Sequence, residues 1–233
     1  MKKRLGKRLR VLVDDANNVA KDDASSFPPT EPMVTKHIAP AANSVRSINI
    51  DCAKLIIGEN GLLGKMMEHP GKEHVINKCF DLAASYEDRQ RLSGTRLSFN
   101  KYCGVQEWHN AVFLWINLGS KDNVVVNEFL NGGKQITWFG GSRMYDHSPV
   151  IHKLLRLGKE ATKSTSRIVL WVRKYDAKSK KFTPYICLGR LSYHSHQPGS
   201  HPLAFVWDLI DASFLKINSE ASTREQYENL FQT

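Results

Sequence analysis

No apolar run in the 233 residues approaches the roughly 18 consecutive positions that a membrane-spanning helix needs. The N-terminus has no continuous apolar stretch ahead of a small-residue cleavage site, so an intracellular protein is expected, nuclear in a eukaryote and cytoplasmic otherwise. Cysteine is scarce. Cys52, Cys79, Cys103 and Cys187 stand far apart with no CxxC pair, which suits reduced, mostly buried thiols and gives neither a disulfide framework nor a structural zinc signature. The glycines at Gly58, Gly61 and Gly64 do not make a GxxxxGK[ST] phosphate loop, because Lys65 is followed by Met66. Acidic residues are short in one place above all. From Lys134 to Arg190 there are thirteen Lys/Arg against three Asp/Glu, a local balance equal to the +10 of the whole chain. The remainder is neutral, so the excess positive charge belongs to one segment, and a basic segment of this kind suits a polyanion such as nucleic acid.

What is present is an ordinary globular composition, 41% hydrophobic and 24% charged, with length enough for one sizeable core. Six basic residues crowd into positions 2–10 (Lys2, Lys3, Arg4, Lys7, Arg8, Arg10). They read as a nuclear-localisation or nucleic-acid-binding arm, as an organelle presequence, or as a solvated terminus; Asp14 and Asp15 weigh against the presequence. A proline-rich stretch then gives a linker, so residues 1–44 are expected as an arm and linker. Residues 45–100 read as a helical subdomain packed on the core. Within it, Glu73 to Leu92 has Val75, Ile76, Cys79, Phe80 and Ala83 on one face of an amphipathic helix.

Residues 101–217 carry the strand signals. Ala111 to Ser120 is a continuous apolar strand, and VVVNEFL follows a turn at Lys121–Asn123. Asn131-Gly132-Gly133 is a turn before KQITWF. Ser148-Pro149 marks a helix start, with Ile151, Leu154 and Leu155 on one face and Gly158 as its stop. RIVLWVRKY, FTPYICLGRLSY and LAFVWDLI are further strands, and residues 218–233 form a charged tail with helical potential. The fold class expected is α+β: a mostly antiparallel sheet or partly open β-barrel with one or two packed helices and a basic N-terminal arm.

The order Trp138, Ser142-Arg143, Ser148-Pro149, Val172-Arg173, Tyr185-x-x-Leu188-Gly189, Ser195-His196, Pro202 and Trp207-x-Leu209 resembles a domain family of unassigned role. That domain lies behind the superfamily II helicase core in bacterial helicase/phospholipase-D-like nuclease fusion proteins. The resemblance covers about 113–209 and brings no catalytic residues with it. It implies a module of DNA-processing machinery, without the motor here, and a helicase or nuclease as a partner in trans. This chain has no Walker motif, and His152-Lys153 lacks the downstream aspartate of an HxKxxxxD nuclease.

Four groups of side chains are candidates for contact with nucleic acid. Alternation places Val169, Trp171 and Arg173 on one strand face, where Trp171 could stack a base and Arg173 pair a phosphate, or where Trp171 could be core with Arg173 reaching to its edge. Trp138 with Ser142 and Arg143 follows the Gly140-Gly141 bend, which either lets backbone amides approach a phosphate or extruded base or is a structural turn. Tyr193, His194, Ser195, His196 and His201 lie near Cys187 as loose zinc candidates or as loop residues that bind backbone or ligand. Lys174, Lys178, Lys180 and Lys181 form a hairpin suited to phosphate, as any solvated hairpin would be, and Arg190 adds charge. Asp146, Glu160, Asp176 and Asp208 have no nuclease spacing. The expected function is a non-enzymatic DNA-binding module, RNA being open as well, that holds duplex through a basic face and reads a modified or flipped base. No cofactor or metal is expected. A protein-interaction adapter recruiting a DNA-processing enzyme and a small nuclease are the alternatives.

Overall fold

In the computed structural model the described residues are 40–119, 126–217 and 221–230. The chain divides into two units, Met1–Ile38 and Ala39–Thr233, and the basic arm and most of the linker lie outside the described residues. The second unit is built on one open, mostly antiparallel sheet. Its strands are β1 (Val105–Glu107), β2 (Val112–Leu118), β3 (Phe129–Leu130), β4 (Gln135–Phe139), β5 (Ile168–Asp176), β6 (Lys181–Phe182), β7 (Ile186–Gln197) and β8 (Ala204–Leu209). The order across the sheet is β1-β2-β5-β7-β8-β4-β3, with β6 paired to the far end of β5. Only β2 and β5 run parallel, because β3, β4 and a helix are inserted between them and return the chain to the same end.

Alternation along the strands sends side chains into two cores. Phe113 and Trp115 of β2 join Val169 and Trp171 of β5 on one face. Helices α1 (Cys52–Ile57) and α2 (Lys72–Ala83) cover that face with Leu55, Ile56, Val75, Ile76, Cys79 and Phe80. Leu114, Ile116, Leu170, Val172, Leu188 and Trp207 fill the opposite face under α4 (Pro149–Lys159). Helices α5 (Ala212–Ile217) and α6 (Ala221–Asn229) close that second core with Ala212, Leu215 and Tyr227. β2 is buried on both sides, as its unbroken apolar run requires.

Several boundaries differ from the sequence pattern, and β7 begins at Ile186 and runs on to Gln197, past the expected FTPYICLGRLSY. The helix expected over Glu73 to Leu92 stops at Ala83, where Ala84 bridges to Ile50, and resumes as α3 (Tyr86–Arg91). Ser85 caps the new start, its hydroxyl accepting from the Asp88 amide at 3.0 Å. Gly158 does not stop α4, which runs on to Lys159. A Cβ at Gly158 would lie 2.7 Å from Trp207 Cζ3 and 3.0 Å from Tyr193 Cβ, so glycine is there to let the helix settle on the sheet. The Asn131-Gly132-Gly133 turn is present, with positive φ at all three residues. The VVVNEFL strand shrinks to Phe129–Leu130, and Val124 and Val125 lie outside the described residues.

Candidate nucleic-acid interface

Pairing of Phe139 and of Gln197 with the same residue, Ala204, makes the loop after β4 (140–148) and the loop between β7 and β8 (198–203) emerge side by side. The loops are tied together. Gly140 N–H donates to Leu203 O at 2.9 Å, and Gly199 N–H donates to Asp146 Oδ2 at 2.8 Å. Behind them, the Tyr193 hydroxyl and His196 Nδ1 are 2.8 Å apart, His196 Nε2 is 3.7 Å from Asp146 Oδ1, and the His196 ring stacks on Phe205 at 5.1 Å. On the outside, Tyr145 lies nearly parallel to two histidines, 5.6 Å from His147 and 5.0 Å from His201, with interplanar angles of 5° and 7°. All three rings are exposed, Tyr145 to 48%. Ser142 and Arg143 are exposed just before them, and among the described residues neither has a hydrogen-bond or ion-pair partner. The arrangement can stack a planar ring and meet an anion beside it.

The sequence placed the rings elsewhere. Trp138 and Trp171, which the sequence offers as stacking candidates with a core position open for Trp171, are 2% and 0% exposed. Trp171 stacks on Trp115 at 6.0 Å inside the first core, and Trp138 packs on Phe205 at 5.6 Å inside the second. The face that alternation assigned to Trp171 is the one that α1 and α2 cover, so the ring cannot reach a ligand without opening the core. Gly140-Gly141 is a structural bend whose first amide is already bonded to Leu203. Tyr193 and His196 reach the loop end from behind as half-buried supports. Tyr145 and His147 are absent from the expected contact set, and His201 stands there only as a loose zinc candidate or loop residue; the signal for the ring group in the sequence is a tyrosine and histidines in polar loops, which any surface shows.

Arg190 is also core. Its side chain is 5% exposed and forms a two-point ion pair with Asp211: Nη2 to Oδ1 at 2.6 Å and Nε to Oδ2 at 3.0 Å, while its backbone N–H donates to Oδ2 at 2.8 Å. Gly189, at φ +91°, makes room for that carboxylate, since a Cβ there would lie 2.5 Å from Asp211 Oδ2. Arg173 lies between the rings of Phe182 and Tyr185, 4.3 and 4.7 Å from their centroids, and donates through Nε to Asn117 Oδ1 at 2.7 Å. Lys174 Nζ donates to Asn229 O at 3.0 Å, and Lys153 Nζ donates to Trp108 O and His109 O. Lys153, Lys174 and Arg190 are therefore occupied internally and Arg173 in part, and the excess charge does not form one continuous face.

The exposed remainder of the hairpin, Lys178, Lys180 and Lys181, sits at the other end of the sheet. Asp176 shapes that turn by accepting from the Lys178 amide at 2.9 Å and the Ser179 amide at 3.3 Å. The Ser179 hydroxyl and the Lys178 amide hold its carboxyl below the usual aspartate range. The Lys hairpin adjoins the start of β7 and the ring-bearing loops adjoin its end, so the 12 residues of that strand separate them. At about 3.3 Å per residue the contour is roughly 36 Å.

His194 and Asp208 meet on the open side of the sheet, with Nδ1 3.3 Å from Oδ2, and Gln135 Nε2 donates to Asp208 Oδ1 at 2.7 Å. Cys187 is buried in the first core, away from the histidines, and no three His, Cys, Asp or Glu side chains among the described residues come together as a metal-holding group. Cys52, Cys79 and Cys187 are buried free thiols and Cys103 is half-buried. No helix among the described residues is long and apolar enough to cross a membrane.

No family model matches the chain, so the helicase-associated resemblance gains no support there, and no curated protein matches it. Among solved structures, the chain is similar to the DNA recognition domain of the cytosine modification-dependent restriction endonuclease LpnPI. The TM-score is 0.33 at 10% identity, over 60% of this chain and 77% of that one. Likeness at that level fixes neither fold nor ligand.

Proposed function

We propose that this chain is a DNA-binding module without catalysis of its own, which holds the phosphate backbone through exposed cations and stacks an unpaired or extruded base on the Tyr145 ring group. The observation that supports it is the exposed parallel stack of Tyr145 with His147 and His201 beside the unpartnered Arg143. Stacking on an exposed ring is tolerant of sequence and is worth about 1–3 kcal/mol per base, while arginine supplies the charge that the backbone requires. The carboxylates favour binding over cleavage. Asp146 supports the loop pair, Asp208 faces Gln135 and His194, and Asp176 lies in the far hairpin, so they do not converge on one scissile bond.

Fluorescence anisotropy on duplex, mismatched duplex and single-stranded DNA, with matching RNA, at two salt concentrations is the test. Tyr145→Ala should weaken binding to unpaired bases by about 5- to 160-fold, the range that one lost stack gives. Arg143→Ala should lower the salt slope by about one phosphate contact. Unchanged affinity in Tyr145→Ala would remove the stacking group from the reading. A narrower version, in which the stacked base is a modified one, predicts tighter binding to a duplex carrying a modified cytosine than to the same unmodified duplex.

A protein-interaction adapter is the second reading, with a helicase or nuclease in trans as the partner class. Ile57, Phe214 and Ile217 are 61%, 43% and 74% exposed and flank a cleft of about 490 Å³, an apolar patch that DNA contact leaves unexplained. Retention of a stoichiometric partner after nuclease treatment, lost in Phe214→Ser, would favour it.

A further inference from the structure

Lys72 opens α2 and turns back over the sheet, where its ammonium lies 5.1 Å from the Trp115 ring centroid and donates to Cys103 O at 2.6 Å. The Trp115 ring meets Tyr185 edge-on at 4.9 Å, and Tyr185 is one of the two rings holding the Arg173 guanidinium. Arg173 Nη1 donates to Pro70 O at 3.2 Å, two residues before Lys72. One aromatic wall thus carries two half-buried cations, Lys72 from α2 and Arg173 from β5. Among the described residues neither takes part in an ion pair. Lys72 has used one of its three N–H donors and Arg173 two of its five.

Two partly desolvated like charges raise the energy of the empty site, and an oxyanion between them would relieve it. The Lys72 ammonium shows that burden: burial brings it down from 10.5 to about 8, Cys103 opposes the shift, and Arg173 adds a smaller lowering. Other titratable groups nearby are engaged elsewhere. Glu73 pairs with Arg96 at 3.1 Å, and His74 packs on His69 at 4.8 Å.

We propose that Lys72 and Arg173 form a phosphate clamp, which takes one phosphate oxyanion of a polynucleotide backbone at the hairpin end of the sheet. The polynucleotide part rests on the function proposed above; the oxyanion part does not. Lys178, Lys180 and Lys181 extend the clamp along the backbone, and the stiff rings under Arg173 fix where the first phosphate sits.

Inorganic sulfate, whose charge is constant through the lysine range, tests the clamp, with Lys72 followed by carbon-13 NMR of its Cε. Saturating sulfate should move the Lys72 titration upward from about 8. Sulfate affinity should fall about tenfold per pH unit above that value in the wild type and stay level in Lys72→Arg. Lys72→Met, which keeps the buried stem but takes the Nζ donor from Cys103 O, should abolish the response. On duplex DNA, Lys72→Met should weaken binding about tenfold near 0.1 M salt and lower the salt slope by about one. If sulfate behaves so but the wild type binds no DNA or RNA, the clamp stands, its ligand is a free phosphate compound, and the nucleic-acid reading falls. If DNA binds and Lys72→Met and Arg173→Gln bind it with unchanged affinity and slope, the clamp is overturned while DNA binding survives.

Discussion

Replacing Asp211 with alanine tests the assignment of Arg190 to the core. Both side chains of the pair are 5% exposed or less, so the variant leaves a guanidinium inside the protein with no counter-charge. Removing one partner of a buried pair costs about 3–5 kcal/mol. Asp211 Oδ2 also accepts the Arg190 backbone N–H, so the loss falls at the upper part of that range. For a domain of this size, about 4 kcal/mol lowers Tm by about 8–16 °C. Thermal unfolding followed by circular dichroism reads the shift. The double variant Arg190→Met/Asp211→Asn removes the charge while keeping an oxygen for the amide, and it should recover part of the loss, because apolar replacement of a buried pair is far cheaper than orphaning one partner. Arg190→Met should bind DNA as the wild type does, measured below its own melting transition. A melting point for Asp211→Ala within about 2 °C of wild type, or loss of DNA affinity in a stable Arg190→Met, would show that the guanidinium faces the ligand and that the pair is not holding the fold.

Gly158→Ala should destabilise the protein by about 1–3 kcal/mol in chemical denaturation, although alanine is the better helix former by about 1 kcal/mol, because its Cβ would meet the Trp207 ring at 2.7 Å. Alkaline stability carries two opposite slopes. Lys72 is lowered to about 8 when folded, so the unfolded chain holds more protons between about 8 and 10.5 and this residue makes stability rise with pH across that window. Burial raises the Cys52 and Cys187 thiols from 9.0 to about 12, so their contribution is whole below 9.0 and is lost as pH climbs toward 12. Denaturation of wild type and Lys72→Met at a series of pH values should show the wild type gaining on the variant from about 8 upward, while both lose stability above 9.0.

Features set by neighbours in sequence were legible, and features set by distant partners were not. The two faces of RIVLWVRKY, the Ser148-Pro149 start of α4, the buried face of α2 and the Asn131-Gly132-Gly133 turn each depend on period or on local backbone chemistry, and each is in the structure. Trp171 shows where such reasoning ends: alternation names its face, but which face α1 and α2 cover is a tertiary fact. The partner of Arg190 lies 21 positions on and Trp207 is distant in sequence from Gly158, so nothing local marks the first as core or the second as a packing contact. Ser85-x-x-Asp88 was a local signal for the break after α2, and the amphipathic run through it hid the cap.

The charge balance carried the first inference, and its distribution now constrains it. A single basic face would have placed every phosphate contact on one side of the sheet, whereas the structure leaves exposed cations at both ends of β7 and commits Lys153, Lys174 and Arg190 to internal contacts. The ends are not equivalent. One offers parallel rings with an arginine beside them, which suits a base, and the other offers lysines without exposed stacked rings, which suits a backbone. Their contour separation of roughly 36 Å is close to one turn of duplex DNA. On the proposed reading, a chain laid along the strand direction would meet the backbone at the hairpin and reach an unpaired base about one turn away. Base recognition and backbone affinity would then sit on different loops of one rigid sheet, and each could be altered without disturbing the other.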